Sequence, residues 1–175
     1  MKKLLLTGVL VAFFNLANAQ TEQGGWFVGA SSALSFTSTS YDGQEDNDTN
    51  FNLEGRAGSF VSDNLNFGLF IGFETSKDGS SDFKTTASAI GPFIRYYANG
   101  QVYFGVGYAI SNAKITSGGT TVGEADGGLI ALEAGYPIWI NDIIAVEPSL
   151  NYGIGTGDFD SSRSLSLAIG FGIYF

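Results

Sequence analysis

The final stretch of the chain, Arg163-Ser-Leu-Ser-Leu-Ala-Ile-Gly-Phe-Gly-Ile-Tyr-Phe175, narrows the choice of fold more than any other. Every second residue back from the end is large and apolar: Phe175, Ile173, Phe171, Ile169, Leu167 and Leu165. The residues between them, Tyr174, Gly172, Gly170, Ala168, Ser166 and Ser164, are mostly small or polar. A period of two places the apolar set on one face of a strand. The last residue is itself aromatic, with no polar tail beyond it. Such a face is expected to meet lipid, on a strand that closes a barrel, because a sheet in lipid must leave no open edge.

The other end of the sequence supports export. Met1-Lys-Lys3 is basic, residues 4–16 are apolar, and Ala17-Asn-Ala19 is an A-x-A cleavage site. Residues 1–19 read as a secretory signal peptide, leaving a single domain, 20–175, that begins at Gln20. Without Cys, neither a lipid-anchor cysteine nor a disulfide framework is available. Two of the eight basic residues lie in the signal, so six face 17 acidic ones afterwards, a net charge of about −11. That balance argues against nucleic acid as a partner, since phosphates need a basic stripe. Beyond the signal no apolar run approaches the roughly 20 residues of a spanning helix. Gly is abundant (25 residues), aromatics reach 14% and charged residues only 14%. The combination points to a β wall in a bacterial outer membrane.

Seven further alternating segments precede the last, at 25–36, 50–61, 65–75, 83–97, 101–112, 127–139 and 143–154. Each reaches the about 9–11 residues of a tilted membrane strand. The third is the cleanest, with Leu65, Phe67, Leu69, Ile71 and Phe73 on one face and Asn66, Gly68, Phe70, Gly72 and Glu74 on the other. The fourth carries Pro92, which cannot donate to a ladder, so a bulge or weak pairing is expected there. Tight turns of Asn, Asp, Gly and Ser at 62–64, 98–100 and 140–142 alternate with longer polar stretches at 37–49, 76–82, 113–126 and 155–162. Outer-membrane barrels keep short turns on the periplasmic side and long loops outside. Both termini are therefore expected in the periplasm.

A soluble barrel with the apolar set inside is the rival arrangement. Eight strands enclose an interior just wide enough for their own side chains. Packing the Leu, Ile, Phe and Tyr of every strand inward would overfill it and leave a Gly- and Ala-rich exterior with few charges. Bulky apolar residues outside and smaller ones inside satisfy both constraints. The expected fold is an all-β, eight-stranded antiparallel up-and-down transmembrane β-barrel.

The signal peptide, the hairpin spacing, Gly91-Pro-Phe-Ile-Arg-Tyr-Tyr97 before a short turn, and the ending Gly170-Phe-Gly-Ile-Tyr-Phe175 resemble the small bacterial outer-membrane β-barrel family. That family includes OmpX, OmpW and the N-terminal domain of OmpA. The resemblance covers the whole mature chain and rests on pattern. It implies that Phe171, Ile173 and Phe175 form the signal read by the barrel-assembly machinery. Unlike OmpA, the chain ends with its last strand, so no peptidoglycan-binding domain is expected.

The inward faces carry Glu54, Arg56, Glu74, Arg95, Glu133 and Glu147. Ionised groups in a narrow barrel are costly unless paired. A lumenal network that plugs the interior is the expected arrangement, and a gated polar path for ions is the alternative. The first long loop crowds Asp42, Glu45, Asp46 and Asp48 without the ligand order of a calcium loop, so a solvated loop is expected there and no metal site. The glycine pairs at Gly105, Gly153 and Gly170 open no helix and do not form a phosphate loop. Trp26, Tyr96, Tyr136 and Phe175 near one set of strand ends, and Phe36, Phe51, Phe73 and Tyr152 near the other, suit two interfacial girdles.

No His is present in the chain. Outer-membrane barrel enzymes resemble one another in using a His as base, so no catalytic residue and no cofactor are expected. A structural or surface-interaction role is expected, with outer-membrane lipid, lipopolysaccharide, the assembly machinery and host or neighbouring-cell surfaces as partners. The alternative, implied by the resemblance to OmpW, is a narrow channel for small or hydrophobic solutes.

Overall fold

The computed structural model describes residues 21–30, 35–39, 48–99 and 101–175. The signal segment 1–19, Gln20, Leu34, Gly100 and the loop acids Asp42, Glu45 and Asp46 lie outside the described residues, as does the side chain of Phe36.

The described residues form ten strands: β1 (Trp26–Ala30), β2 (Ser35–Thr39), β3 (Asp48–Ser62), β4 (Leu65–Lys77), β5 (Phe83–Ala98), β6 (Val102–Ser117), β7 (Thr120–Gly135), β8 (Ile138–Trp139), β9 (Ile144–Gly157) and β10 (Arg163–Tyr174). Two pairs of these are pieces of single staves. β1 and β2 both lie along β3, at Trp26↔Ser59 and Ser35↔Asn52. β7 and β8 both lie along β9, at Gly135↔Ser149 and Ile138↔Val146, with Tyr136-Pro137 between them. Eight antiparallel staves result, and the barrel closes where β1 meets β10 from Phe27↔Tyr174 to Ala30↔Phe171. The last strand thus pairs on both sides, with β9 and with β1.

Alternation decides which face is which. Leu165, Leu167, Ile169, Phe171, Ile173 and Phe175 are exposed, Leu167 at 85%, whereas Tyr174 is 1% exposed. The same parity recurs on β4 (Phe67, Leu69, Ile71, Phe73) and β6 (Val102, Phe104, Val106, Tyr108, Ile110). A continuous apolar surface of this extent would drive association in water and is at ease in lipid.

Turn chemistry holds the narrow end. Asn64 and Asn99 adopt φ of 65° and 53° in the first two tight turns, where Asn tolerates the left-handed region. In the third, the Asn141 carboxamide accepts the amides of Ile143 and Ile144 at 3.0 and 2.8 Å. The segment before β1 is strapped to the first turn. Thr21 donates its hydroxyl to Asn64 Oδ1 at 2.7 Å, and the Gln23 amide donates to Asp63 at 3.0 Å.

One expectation needs correction. Residues 113–126 are not a long loop: β6 and β7 run on to a two-residue Gly118-Gly119 turn with φ of 56° and 80°. Outward apolar alternation lapses at Asn112 and Lys114, while the strand itself runs on to Ser117. At Pro92 the expected weak pairing is present, without a bulge. Pairing with β6 lapses between Ile90↔Ile110 and Phe93↔Gly107, and the same register resumes on both sides. A Cβ on Gly91 would stand 2.6 Å from Ala109 Cα, so only glycine permits this close approach.

Candidate functional site: the charged and aromatic lumen

Inward positions on five strands converge on one network. Arg95 of β5 grips Glu133 of β7 with two bonds, Nε to Oε1 at 2.5 Å and Nη2 to Oε2 at 3.1 Å. Its Nη1 reaches Glu147 of β9 at 3.0 Å. Arg56 of β3 donates to the same Glu133 at 2.7 Å and to Glu54, two residues back on its own inward face, at 2.6 Å. Glu147 also accepts the phenolic hydroxyl of Tyr174 from β10, and Tyr174 and Tyr97 hydroxyls lie 3.2 Å apart. Each bond is charge-assisted or extends one that is. Because Arg95 and Glu147 are nearly fully buried, breaking one member would strand the others.

Aromatic rings form a floor on the short-turn side of these charges. Tyr97 is the next inward residue after Arg95, and Tyr103 the one before Gly105. Tyr174 packs on Trp139 with ring centroids 4.6 Å apart and on Phe27 at 5.0 Å; Tyr97 packs on Phe60 and on Tyr103, both at 5.5 Å. The Arg95 guanidinium lies over Tyr103, 4.2 Å from the ring centre, and over Phe27 at 4.9 Å. Such stacking suits a guanidinium removed from water. Glycines make the room. A Cβ at Gly105 would stand 2.6 Å from Glu133 Cγ, and one at Gly172 would stand 2.8 Å from the Tyr174 ring.

Toward the long-hairpin end the lumen opens into a cavity of about 400 Å³, with Glu54, Arg56, Ser149, Asn151, Ser164 and Ser166 among its lining. Leu129 separates it from a second hollow of about 280 Å³, against which Phe159 of the β9–β10 connection leans.

Of the six expected charges, five join: Glu54, Arg56, Arg95, Glu133 and Glu147. Glu74 stays apart. It sits exposed near the opposite mouth, with Asn50 donating to it at 3.5 Å. Trp26, Tyr96 and Tyr152 are exposed, whereas Tyr136 is half-buried where its stave breaks at Pro137. Among the described residues no group of three or more acidic side chains is placed to hold a metal ion. The aromatic floor was not singled out in the sequence, although the inward parity of Phe27, Phe60, Tyr97, Tyr103 and Tyr174 could have revealed it. Asn66 was also passed over; its carboxamide is buried in the floor with no hydrogen-bond partner among the described residues.

Comparison with known structures agrees with this architecture. Neisserial surface protein A is similar with a TM-score of 0.54 and 16% identity, over 86% of this chain and 96% of that one. The N-terminal β-barrel domain of Pseudomonas aeruginosa OprF is similar with a TM-score of 0.51 and 13% identity, over 87% and 98%. A search of curated protein sequences finds no match. The model of the outer membrane protein beta-barrel domain matches residues 5–175. The chain therefore belongs to the outer membrane protein beta-barrel domain family and is a barrel of the bacterial outer membrane.

Proposed function

We propose that this protein is a plugged, non-enzymatic barrel whose work is done on the cell surface by the loops and hairpins above the membrane. The observation that carries the reading is the bridging of β3, β5, β7, β9 and β10 by the Arg56–Glu133–Arg95–Glu147–Tyr174 chain, stacked on an aromatic floor. Packed rings and doubly bonded guanidiniums stand in the lumen, and opening a path past them means breaking several charge-assisted bonds together. The absence of His supports a role without catalysis. Short turns on the periplasmic side, the general rule for outer-membrane barrels, would put both termini inward and the Gly118-Gly119 hairpin outward. In this reading residues 1–19 are a cleaved signal peptide. Phe171, Ile173 and Phe175 are the surface read during assembly, and Trp26, Tyr96, Tyr136 and Tyr152 mark the two lipid interfaces. Lipid, the outer-leaflet glycolipid and neighbouring or host cell surfaces are the partners.

A narrow channel is the second reading, favoured by the roughly 400 Å³ cavity that continues the long-hairpin end inward. Recording from planar bilayers separates the two. The plug predicts a closed trace for the wild type and current only after Arg95→Gln or Tyr97→Ala. A steady wild-type current that Glu54→Gln abolishes would establish the channel instead.

A further inference from the structure

The plug leaves a pocket above it. Its volume, about 400 Å³, falls within the roughly 300–1,000 Å³ of small-molecule sites. The two halves of the wall line it differently. Phe70, Phe93 and Leu129 enter from β4, β5 and β7 and make an apolar side. Glu54, Asn151 and Ser166 enter from β3, β9 and β10, with Ser166 opposite Asn151 in the ladder. The Asn151 Nδ2 donates to Ser149 at 3.1 Å, which leaves its carbonyl oxygen as an acceptor. A site lined in this way suits a ligand with one polar end and one apolar end.

Charge decides what the polar end must be. The network sets Glu54, Glu133 and Glu147 against Arg56 and Arg95, so one carboxylate has no guanidinium of its own. Charges held away from water are stable when matched. Both guanidiniums are already held by carboxylates, Arg95 through all three nitrogens, so an anion meets no free cation. Glu54 is the most open acid, its side chain 30% exposed against 10% for Glu133 and 4% for Glu147. It accepts Arg56 at Oε1, and a carboxylate can accept at both oxygens.

We propose that this pocket binds a small organic cation, a primary ammonium on an apolar body, entering from the long-hairpin side. The ammonium meets Glu54 and supplies the missing positive charge, and its other protons go to Asn151 and Ser166. The body packs against Phe70 and Leu129, a contact that a bare metal ion cannot make. A zwitterion would bring its own carboxylate against Glu54 and Glu133. The approach also favours cations. Lys77, Lys84, Lys114 and Arg163 share the outward parity of exposed Phe73, Ile90, Ile110 and Leu165, whereas Glu74 lies inward near that mouth. The inference goes beyond a surface role and takes from it only the plug, as the floor of the pocket.

The test is calorimetric titration of the full mature barrel in phosphatidylcholine vesicles with phenethylamine, against empty vesicles as the blank. Three probes share its body: neutral 2-phenylethanol, the zwitterion phenylalanine and anionic 3-phenylpropionate. Saturable binding is expected for the amine alone. Glu54→Gln should weaken it roughly thirtyfold, the loss of one charge-assisted bond. Arg56→Gln, which deepens the charge imbalance, should tighten it, a direction that mere loosening of the network would not give. Ser166→Phe, which fills the pocket, should abolish it. Equal binding of the alcohol or of phenylalanine, an unchanged Glu54→Gln, or equal competition by sodium would overturn the site. Heat-shifted mobility of each variant on unboiled gels checks that the barrel is intact. A planar-bilayer trace reads the floor separately. Saturable binding with a steady current keeps the site and removes the plug; a closed trace without binding removes the site alone.

Discussion

Arg95 Nε and Glu133 Oε1 stand 2.5 Å apart inside the lumen, on strands β5 and β7 that share no ladder. The contact therefore ties the two staves that flank β6 through the interior. It is also the junction of the network, because Glu133 holds Arg56 with its other oxygen and Arg95 holds Glu147 with its remaining nitrogen. Removing Arg95 would leave Glu147 buried without its arginine and Glu133 with Arg56 alone. Arg95→Met is expected to lower stability by about 3–5 kcal/mol, measured by urea unfolding of the refolded barrel in vesicles. Arg95→Met/Glu133→Gln should recover part of that loss. A single-variant loss under about 1 kcal/mol would mean that water already solvates these charges.

Tyr174→Phe keeps the ring in the floor and deletes only the hydroxyl bound to Glu147. A loss of about 1.5–3 kcal/mol is expected, the range for hydrogen bonds to charged groups. Because the ring contacts with Trp139 and Phe27 survive, near-ultraviolet circular dichroism should stay native. A changed spectrum would show that the hydroxyl orders the floor as well as the carboxylate.

Asn66→Leu is expected to leave stability unchanged or to raise it by about 1 kcal/mol, since it replaces an unpartnered buried amide by an apolar group of similar size. Urea unfolding again reads the answer. Clear destabilisation would mean that the amide finds a bonding partner in the folded barrel.

Phe175→Ala, or a polar extension after Phe175, should reduce the heat-modifiable band recovered from the outer membrane far more than shortening the β9–β10 connection does. Phe175 exchanges bonds with Trp26 at the seam, N to O at 3.0 Å and the reverse at 2.6 Å, while its side chain stays 69% exposed to the lipid side. Full recovery of the extended variant would refute a role in assembly.

The wall was readable in the sequence because lipid writes a period of two onto every stave; Phe171 and Ile173 outside with Tyr174 inside is its clearest instance. The same dependence explains where reading stopped. Beyond Ile110 the outward positions turn polar at Asn112 and Lys114, the period of two fades, and a hairpin there looks like a loop until its Gly118-Gly119 turn is seen. Inward charges were visible as parity, but their partners were not. Glu74 shares the inward face with Asn66 yet sits four inward positions away along β4, too far toward the mouth to reach either arginine. Parity says which side a residue is on; strand tilt and register decide which others it meets.

The bonds between Trp26 and Phe175 join residues separated by nearly the whole chain. A contact of such long range is among the slowest to form, because the intervening segment must be confined before anything is gained. Until it forms, β1 and β10 are two raw edges with unpaired amides and carbonyls, each ready to recruit another strand. A barrel whose β10 has not yet met β1 has most of its wall built and is still an open, adhesive sheet. Closure of this seam is thus the committing step, and the hazards of aggregation fall in the interval before the two edges meet.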